Sequence, residues 1–422
     1  MLGQEQRMDG RSRLSVNLRQ MVIAIETAAS LVGLNDTQHG KRVAYISVQI
    51  GKQLGFSDHD LQFCFDLGLL HDCGVSTQKM HNKLVTKLFG SDAQSHCDTG
   101  YQLLRDFSPL SKYATPILYH HTPWQKLVQE DVSPHDALMA NLIFLADRVD
   151  VLAATSAKNL ILARREIVRE LAKYIGEYFA PHIFKAFEKA QASEAFWISM
   201  EERHIASFVS RMEQFDMVRE LSISDLKKLS LIMADIVDRK SHFTGNHSFL
   251  VAKLARFIAE RYGLNEQQCE MIEIAGLLHD LGKLRIPDHI LDKPGPLNSE
   301  ERAIIQGHSF ETYEILRQVE GLDEIATWAA FHHESLNGQG YPFHPYEQEY
   351  SVEARIIALA DVYQAIVQDR PYRKGMTREE ALSVVTQMAS ERKLDPQILE
   401  IVKNHQQSCF DLARGVGVST VK

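Results

Sequence analysis

The string GLLHD occurs twice, at Gly68–Asp72 and at Gly276–Asp280, and the residues around it recur at nearly the same interval. His39 and His247 share the offset of 208, whereas His96 and His308, Tyr101 and Tyr313, and the adjacent pairs His120-His121 and His332-His333 differ by 212. Asp147 and Asp361 differ by 214, and YFAPHIFKAFEK around Pro181 parallels KLDPQILEIVKN around Pro396 at 215. A drift of a few residues is what short loop insertions between equivalent helices produce. The chain is a tandem duplication, so it must fold as two copies of one architecture. Its 422 residues exceed what one core usually spans, which fits two domains. The expected division is an N-terminal extension over 1–19, a first domain over 20–215 and a second over 216–422. The charged stretch EERHIASFVSRMEQFDMVRELSISDLKK, helical in period, forms the join.

Within the second copy, HSFLVAKLARFIAERYGL has apolar residues at Leu250, Val251, Leu254, Phe257 and Ile258, the spacing of an amphipathic helix that Gly263 ends. EMIEIAGLLHDLGK predicts a buried helix stopping at Gly282. After a loop containing Pro287, Pro294 and Pro296, Asn298 followed by Glu301 has the pattern of an N-cap, opening the helix that carries His308. ARIIALADVYQAIV is apolar nearly all round, which places it in a core. Only 23 Gly and 12 Pro punctuate the chain, which disfavours many short strands. The expected fold is all-α, two tandem helical domains with a helical linker.

Charge and cysteine content remove several function classes. A net charge of -9 opposes a general nucleic-acid-binding face, which needs basic residues, although a local basic pocket is compatible with it. The five cysteines form no CxxC pair, which points to free thiols in a reducing compartment. No signal-peptide stretch opens the chain and no run of about eighteen apolar residues occurs, so a cytoplasmic protein is expected.

Asp361 sits inside the apolar helix, and burying a lone carboxylate is costly unless it is paired or bound to a cation. The second half offers it no arginine at helical spacing. It does offer His247, His279, Asp280, His308, His332 and His333, at the ends or faces of expected helices. His332 and His333 are adjacent, and neighbouring side chains on a helix diverge by roughly a hundred degrees, so one core cannot take both. A single buried histidine is ordinarily a satisfied core residue. It is the set, repeated with matching spacing in the other half, that implies a metal. Seven nitrogen and oxygen donors exceed the needs of one ion. They predict two divalent ions about 3.5 to 4 Å apart, with Asp280 as the bridge. A thiolate-free, imidazole-rich set suits iron or manganese, with nickel, cobalt or zinc as alternatives.

These residues resemble the HD-GYP group of the HD phosphohydrolase superfamily. His279-Asp280-Leu281-Gly282-Lys283 matches its HDxGK pattern, and His332-His333-Glu334 with Gly338, Gly340, Tyr341 and Pro342 matches HHExxxGxGYP without a gap. The likeness runs from about His247 to the end, and it implies HD-type helical domains and metal-dependent hydrolysis of cyclic dinucleotides in bacterial second-messenger signalling. The tandem arrangement, with a degenerate first domain, also resembles enzymes that cleave 3′,3′-cyclic GMP-AMP. Either that hybrid or cyclic di-GMP is the implied substrate, opened to a linear dinucleotide or to mononucleotides. Carried over, the metal ligands are His247, His279, Asp280, His308, His332, His333 and Asp361, and the catalytic pair is Asp280 and Lys283. Lys283 faces a phosphate, Arg370 and Arg373 in DRPYRK hold the substrate's phosphates, and Gly340, Tyr341 and Pro342 form a stiff, exposed corner, a substrate wall or a contact for a protein partner. A glutamate that binds a third metal in some members is Phe243 here, which favours two ions. Glu334 is left with two roles, orienting a histidine or relaying a proton. A non-catalytic metal-binding and cyclic-dinucleotide-binding adaptor and an HD hydrolase of linear nucleotides stand as alternatives. Intact Lys283, Arg370 and Arg373 count against the first, and the complete GYP loop against the second.

The first half keeps every donor type in His39, His71, Asp72, His96, His120, His121 and Asp147. Its lysine position is Val75, the Glu334 position is Thr122, no GYP loop follows Trp124, and the arginine positions are Ser156 and Asn159. It reads as an inactive scaffold or homodimer surface, a metal or ligand sensor, or a second catalytic site of other specificity.

Overall fold

The computed structural model describes residues 16–33, 37–86, 88–89, 94–156, 158–214, 220–240, 246–369 and 374–417. The fold is all-α, and its two copies match helix for helix. His39–Leu54 corresponds to His247–Tyr262, Asp58–Leu70 to Glu266–Leu278, Gln94–Leu104 to Ser299–Leu316, and Ala114–Tyr119 to Asp323–Ala330. Pro134–Ala154 then corresponds to Val352–Val367, and Pro181–Ala190 to Pro396–Asn404. Strand structure among the described residues is confined to a two-residue antiparallel ladder, Val16 opposite Leu221 and Asn17 opposite Glu220, and an isolated bridge between Ile175 and Phe179.

Local signals act where the sequence puts them. Gly263 ends His247–Tyr262 in the left-handed region at φ 96°. Asn298 and Glu301 form a reciprocal capping box at the start of Ser299–Leu316, satisfying two backbone N–H groups that a helix leaves unpaired. The glycine of each repeated string lets the first two helices of its copy touch. A Cβ on Gly276 would stand 2.8 Å from Ala252 Cα, and one on Gly68 2.5 Å from Ala44 Cα, closer than packed carbon atoms approach. Val352–Val367 is buried along most of its length, Asp361 included.

Two expectations change in detail. The helix expected to reach Gly282 stops at Leu278, His279 caps it, and a 3-10 turn follows over Leu281–Arg285. Thr312, on a neighbouring helix, makes the break: its hydroxyl donates to the His279 carbonyl at 3.0 Å and accepts from the Gly282 N–H at 3.0 Å. The join is two helices, Glu202–Gln214 and Ile223–Asp238, not one. Between them Glu220–Leu221 extends to pair with Val16–Asn17, and Ser222 caps the restart by accepting from the Asp225 N–H at 3.1 Å.

The halves touch just after the Leu281–Arg285 turn. Asp288 accepts from the buried Lys240 ammonium at 2.9 Å and from the Lys79 backbone N–H of the first half at 3.3 Å. Its own N–H donates to Gln78 Oε1 at 3.3 Å. No helix among the described residues is long and apolar enough to cross a membrane.

Candidate metal centre

Helix ends deliver five donors of the second half and helix interiors the other two. His247 is the first residue of its helix, and His279 and Asp280 follow the end of Glu266–Leu278. His308 faces inward from Ser299–Leu316, His332 and His333 lie in a 3-10 turn after Asp323–Ala330, and Asp361 projects from the core helix. The histidine pair sits in the 3-10 turn that follows Asp323–Ala330, and both imidazoles reach the same cluster, with ring centroids 4.0 Å apart.

The carboxylate of Asp280 divides the cluster. Its Oδ2 lies 3.2 Å from His279 Nε2 and 3.5 Å from His247 Nε2, whereas its Oδ1 lies 3.5 Å from His308 Nε2 and 3.8 Å from His332 Nε2. Asp361 Oδ1 stands 3.3 Å from His247 Nε2 and 3.8 Å from His279 Nε2, and His333 groups with His308 and His332. Donors about 2.1 Å from one ion at tetrahedral or octahedral angles stand about 3.0 to 3.4 Å apart, near these separations. His279 Nε2 and Asp280 Oδ1 are buried without a hydrogen-bond partner, which fits atoms aimed at a cation. These His and Asp clusters could hold metal ions.

The other ring nitrogens are spoken for. The Nδ1–H groups of His279, His308 and His332 donate to the carbonyls of Gly276, Ile305 and Ala329 at 2.8, 2.6 and 2.7 Å. That of His247 donates to Gln364 Oε1 at 2.6 Å. In the neutral rings of His279, His308 and His332 this leaves Nε2 as the unprotonated face. Burial and the neighbouring imidazole of His333 push His308 down to about 3, and burial pushes His333 down to about 4, so both are neutral. Burial works against the charge of Asp280 and Asp361, but the surrounding imidazoles hold both well below the usual carboxylate range. Burial would also lower His247, yet Asp280 and Asp361 outweigh it and push it up to about 10. The field between the two carboxylates attracts positive charge.

Lys283 reaches in from the 3-10 turn and donates to Asp280 Oδ2 at 2.5 Å. The GYP segment packs against the cluster, and here the structure revises one reading. Tyr341 is not an exposed corner but half-buried, its ring 4.8 Å from that of His333. Glu334 also ties down the loop: its Oε1 accepts from the backbone N–H groups of Phe343 and His344 at 2.7 and 3.1 Å, while its Oε2 is buried without a hydrogen-bond partner. A Cβ on Gly340 would lie 2.5 Å from Glu334 Cα, so only glycine lets the loop pass. Pro342 follows, half-buried. Arg370 and Arg373 lie outside the described residues. Sequence reasoning missed Thr312 and Gln364, although Gln364 matches Asp150 of the first half at the offset of 214, one helical turn beyond Asp361.

The first half gathers its seven donors in the same pattern. Asp72 Oδ1 lies 3.3 Å from His96 Nε2 and 3.9 Å from His120 Nε2, and Asp72 Oδ2 lies 3.6 Å from His71 Nε2 and 3.7 Å from His39 Nε2. His39 and His121 reach Asp147 at 3.5 and 3.8 Å.

Comparison with known proteins agrees with this duplication. Residues 37–152 and 231–398 each match a family described as HD domain. The 3′3′-cGAMP-specific phosphodiesterase 1 of Vibrio cholerae serotype O1 is 35% identical over 405 residues, covering 94% of each chain. The 3′3′-cGAMP-specific phosphodiesterase 3 of that organism is 26% identical over 92% of this chain and 94% of the relative. The chain belongs to the HD phosphohydrolase superfamily and, within it, to the HD-GYP family. A crystal structure of a cyclic GMP-AMP specific phosphodiesterase of V. cholerae, 23% identical, superposes with a TM-score of 0.64 over 94% of this chain and 98% of that one, the same tandem fold.

Proposed function

We propose that the second half is a metal-dependent phosphodiesterase centre that hydrolyses cyclic dinucleotides, with 3′,3′-cyclic GMP-AMP as the first substrate to test and cyclic di-GMP as the second. The observation that carries this reading is the carboxylate of Asp280, whose two oxygens face two separate sets of imidazoles. His247, His279, Asp280 and Asp361 would hold one divalent ion and Asp280, His308, His332 and His333 the other, iron or manganese by donor chemistry. When bound, such a pair supplies Lewis-acid polarisation of the phosphodiester and lowers the pKa of the attacking water. Asp280 would keep both positions in register, and the acceptors behind the Nδ1–H groups of His247, His279, His308 and His332 fix those imidazoles before substrate arrives. The ammonium of Lys283, beside Asp280, is placed to neutralise charge that builds on the phosphate oxygens as water adds to phosphorus and the bond to the sugar oxygen breaks. Arg370 and Arg373 would hold the flanking phosphate bidentately, and Tyr341 with Gly340 and Pro342 would wall one side. We take 20–215 and 216–422 as the two working units.

Support for the substrate comes from the relatives. Those matching nearly the whole chain are named as specific for 3′3′-cGAMP, whereas the cyclic di-GMP phosphodiesterase of Pseudomonas aeruginosa matches over 43% of it. The test is product analysis with metal-loaded protein on 3′,3′-cyclic GMP-AMP, cyclic di-GMP and linear dinucleotides, comparing Asp280→Asn with Asp72→Asn. Turnover lost in the first variant and kept in the second is expected. Turnover that survives Asp280→Asn would overturn the assignment.

A further inference from the structure

The two halves match donor for donor but not in what surrounds the donors. In the first half His96 Nε2 lies 3.3 Å from Asp72 Oδ1 and 3.2 Å from His120 Nε2. With His121 these make a four-donor group, all ligand atoms within 4.8 Å of one another. Asp72 Oδ1 is buried and accepts no hydrogen bond. That side of the cluster has the spacing and the unmet acceptor of a cation site.

On the other side His71 Nε2 is likewise buried without a hydrogen-bond partner, but arginines hold the carboxylates. Arg148 gives its Nε and Nη2 to Asp147 Oδ2 at 3.0 and 2.6 Å, and its Nη1 is pinned by the carbonyls of Leu84 and Leu88 at 3.2 and 3.0 Å. Arg42 gives its Nε and Nη2 to the two oxygens of Asp150 at 2.5 and 2.9 Å, and Asp150 is the group that accepts from His39 Nδ1 at 2.7 Å. The second half carries Val362, Leu250 and Gln364 at the three positions of Arg148, Arg42 and Asp150. An arginine fork fixed at both ends neutralises its carboxylate and repels a second cation at short range.

We propose that the first half holds a single divalent first-row metal ion between Asp72, His96, His120 and His121, and that the guanidinium of Arg148 closes the His39, His71 and Asp147 position to a second. This holds whether or not the second half hydrolyses cyclic dinucleotides. Three imidazoles and one carboxylate suit zinc, iron or cobalt. The single ion has no partner ion and no lysine beside it. A small cavity of about 30 Å³ opens on the His39 and His71 side of the cluster, lined also by Asp72 and by Val75 at the lysine position, so no ammonium faces the place where a phosphate would lie. The ion would tie together the end of Asp58–Leu70, the helix Gln94–Leu104 and the turn after Ala114–Tyr119, as a clamp and not as a hydrolytic centre.

The experiment counts metal per chain by mass spectrometry in full-length protein loaded with Zn²⁺ or Mn²⁺ and desalted. The double variant His279→Gln/His332→Gln carries no change in the first half, so a first-half variant that fails to fold does not decide the outcome. One ion per chain retained in that variant, lost again when His96→Gln/His120→Gln is added, is the expected result. Adding Arg148→Val to the double variant should raise the count from one to two. An empty double variant, two ions retained with Arg148 intact, or a count unchanged by Arg148→Val would overturn the proposal. The ions lost between wild type and the double variant report on the second-half centre separately.

Discussion

The carboxamide of Gln364 decides which nitrogen of His247 faces the cluster, because its oxygen can only accept the Nδ1 proton. Replacing Gln364 with Ala should leave the helix folded yet weaken metal binding by about 10- to 100-fold, the usual effect of losing a residue that orients a ligand. Gln364→Glu, which keeps the acceptor, should restore most of it, and competition with a coloured chelator measures both. The seven donors were legible in the sequence because three break a local rule, Asp361 by charging an apolar helix and His332 with His333 by being unable to share one core face, and because the whole set recurs in the other half. Gln364 and Thr312 break no rule, since an amide or a hydroxyl on a buried helix face is ordinary. Their partners, 117 and 33 residues away, appear only when helices pack. The hold of Glu334 on its loop was not legible either, because its place beside two histidines points toward them, whereas the N–H groups it accepts from lie nine and ten residues on.

Glu273 joins three helices of the second half. It accepts from Lys227 at 2.7 Å, Lys253 at 2.8 Å and Arg256 at 3.1 Å. Burial acts to raise its pKa, but Lys227 and Lys253 hold it below the usual glutamate value. A carboxyl lowered on folding adds stability that is present above its unfolded pKa and lost as pH falls through its folded pKa. Glu273→Gln should therefore cost ~1–3 kcal/mol at pH 7, discounted because the three cations are partly exposed, and the deficit should shrink below about pH 4.5. Urea unfolding across that range checks the sign. Helix starts were well marked in the sequence, as the capping box at Asn298 shows. The end at Leu278 was not, because apolar periodicity continues through Leu281 while the stop is imposed by Thr312 from another helix.

The duplication fixed the architecture of the molecule before any side chain was placed, since matched offsets of 208 to 215 leave room only for equivalent helices. How the copies meet was not legible: Asp288, Gln78 and Lys79 have no pattern until the two surfaces come together. Lys240 is fully buried and depends on Asp288, whose side chain is 25% exposed. Asp288→Ala should destabilise the chain by about 1–3 kcal/mol, and Lys240→Met added to it should recover much of that loss, both read by calorimetry. The central claim is that the second-half donors enclose two cations bridged by Asp280. Anomalous scattering at the metal edge from crystals of the loaded protein tests it directly. Two peaks about 3.5 to 4 Å apart, one against each oxygen of Asp280, are expected. A single peak, or peaks away from that carboxylate, would contradict it.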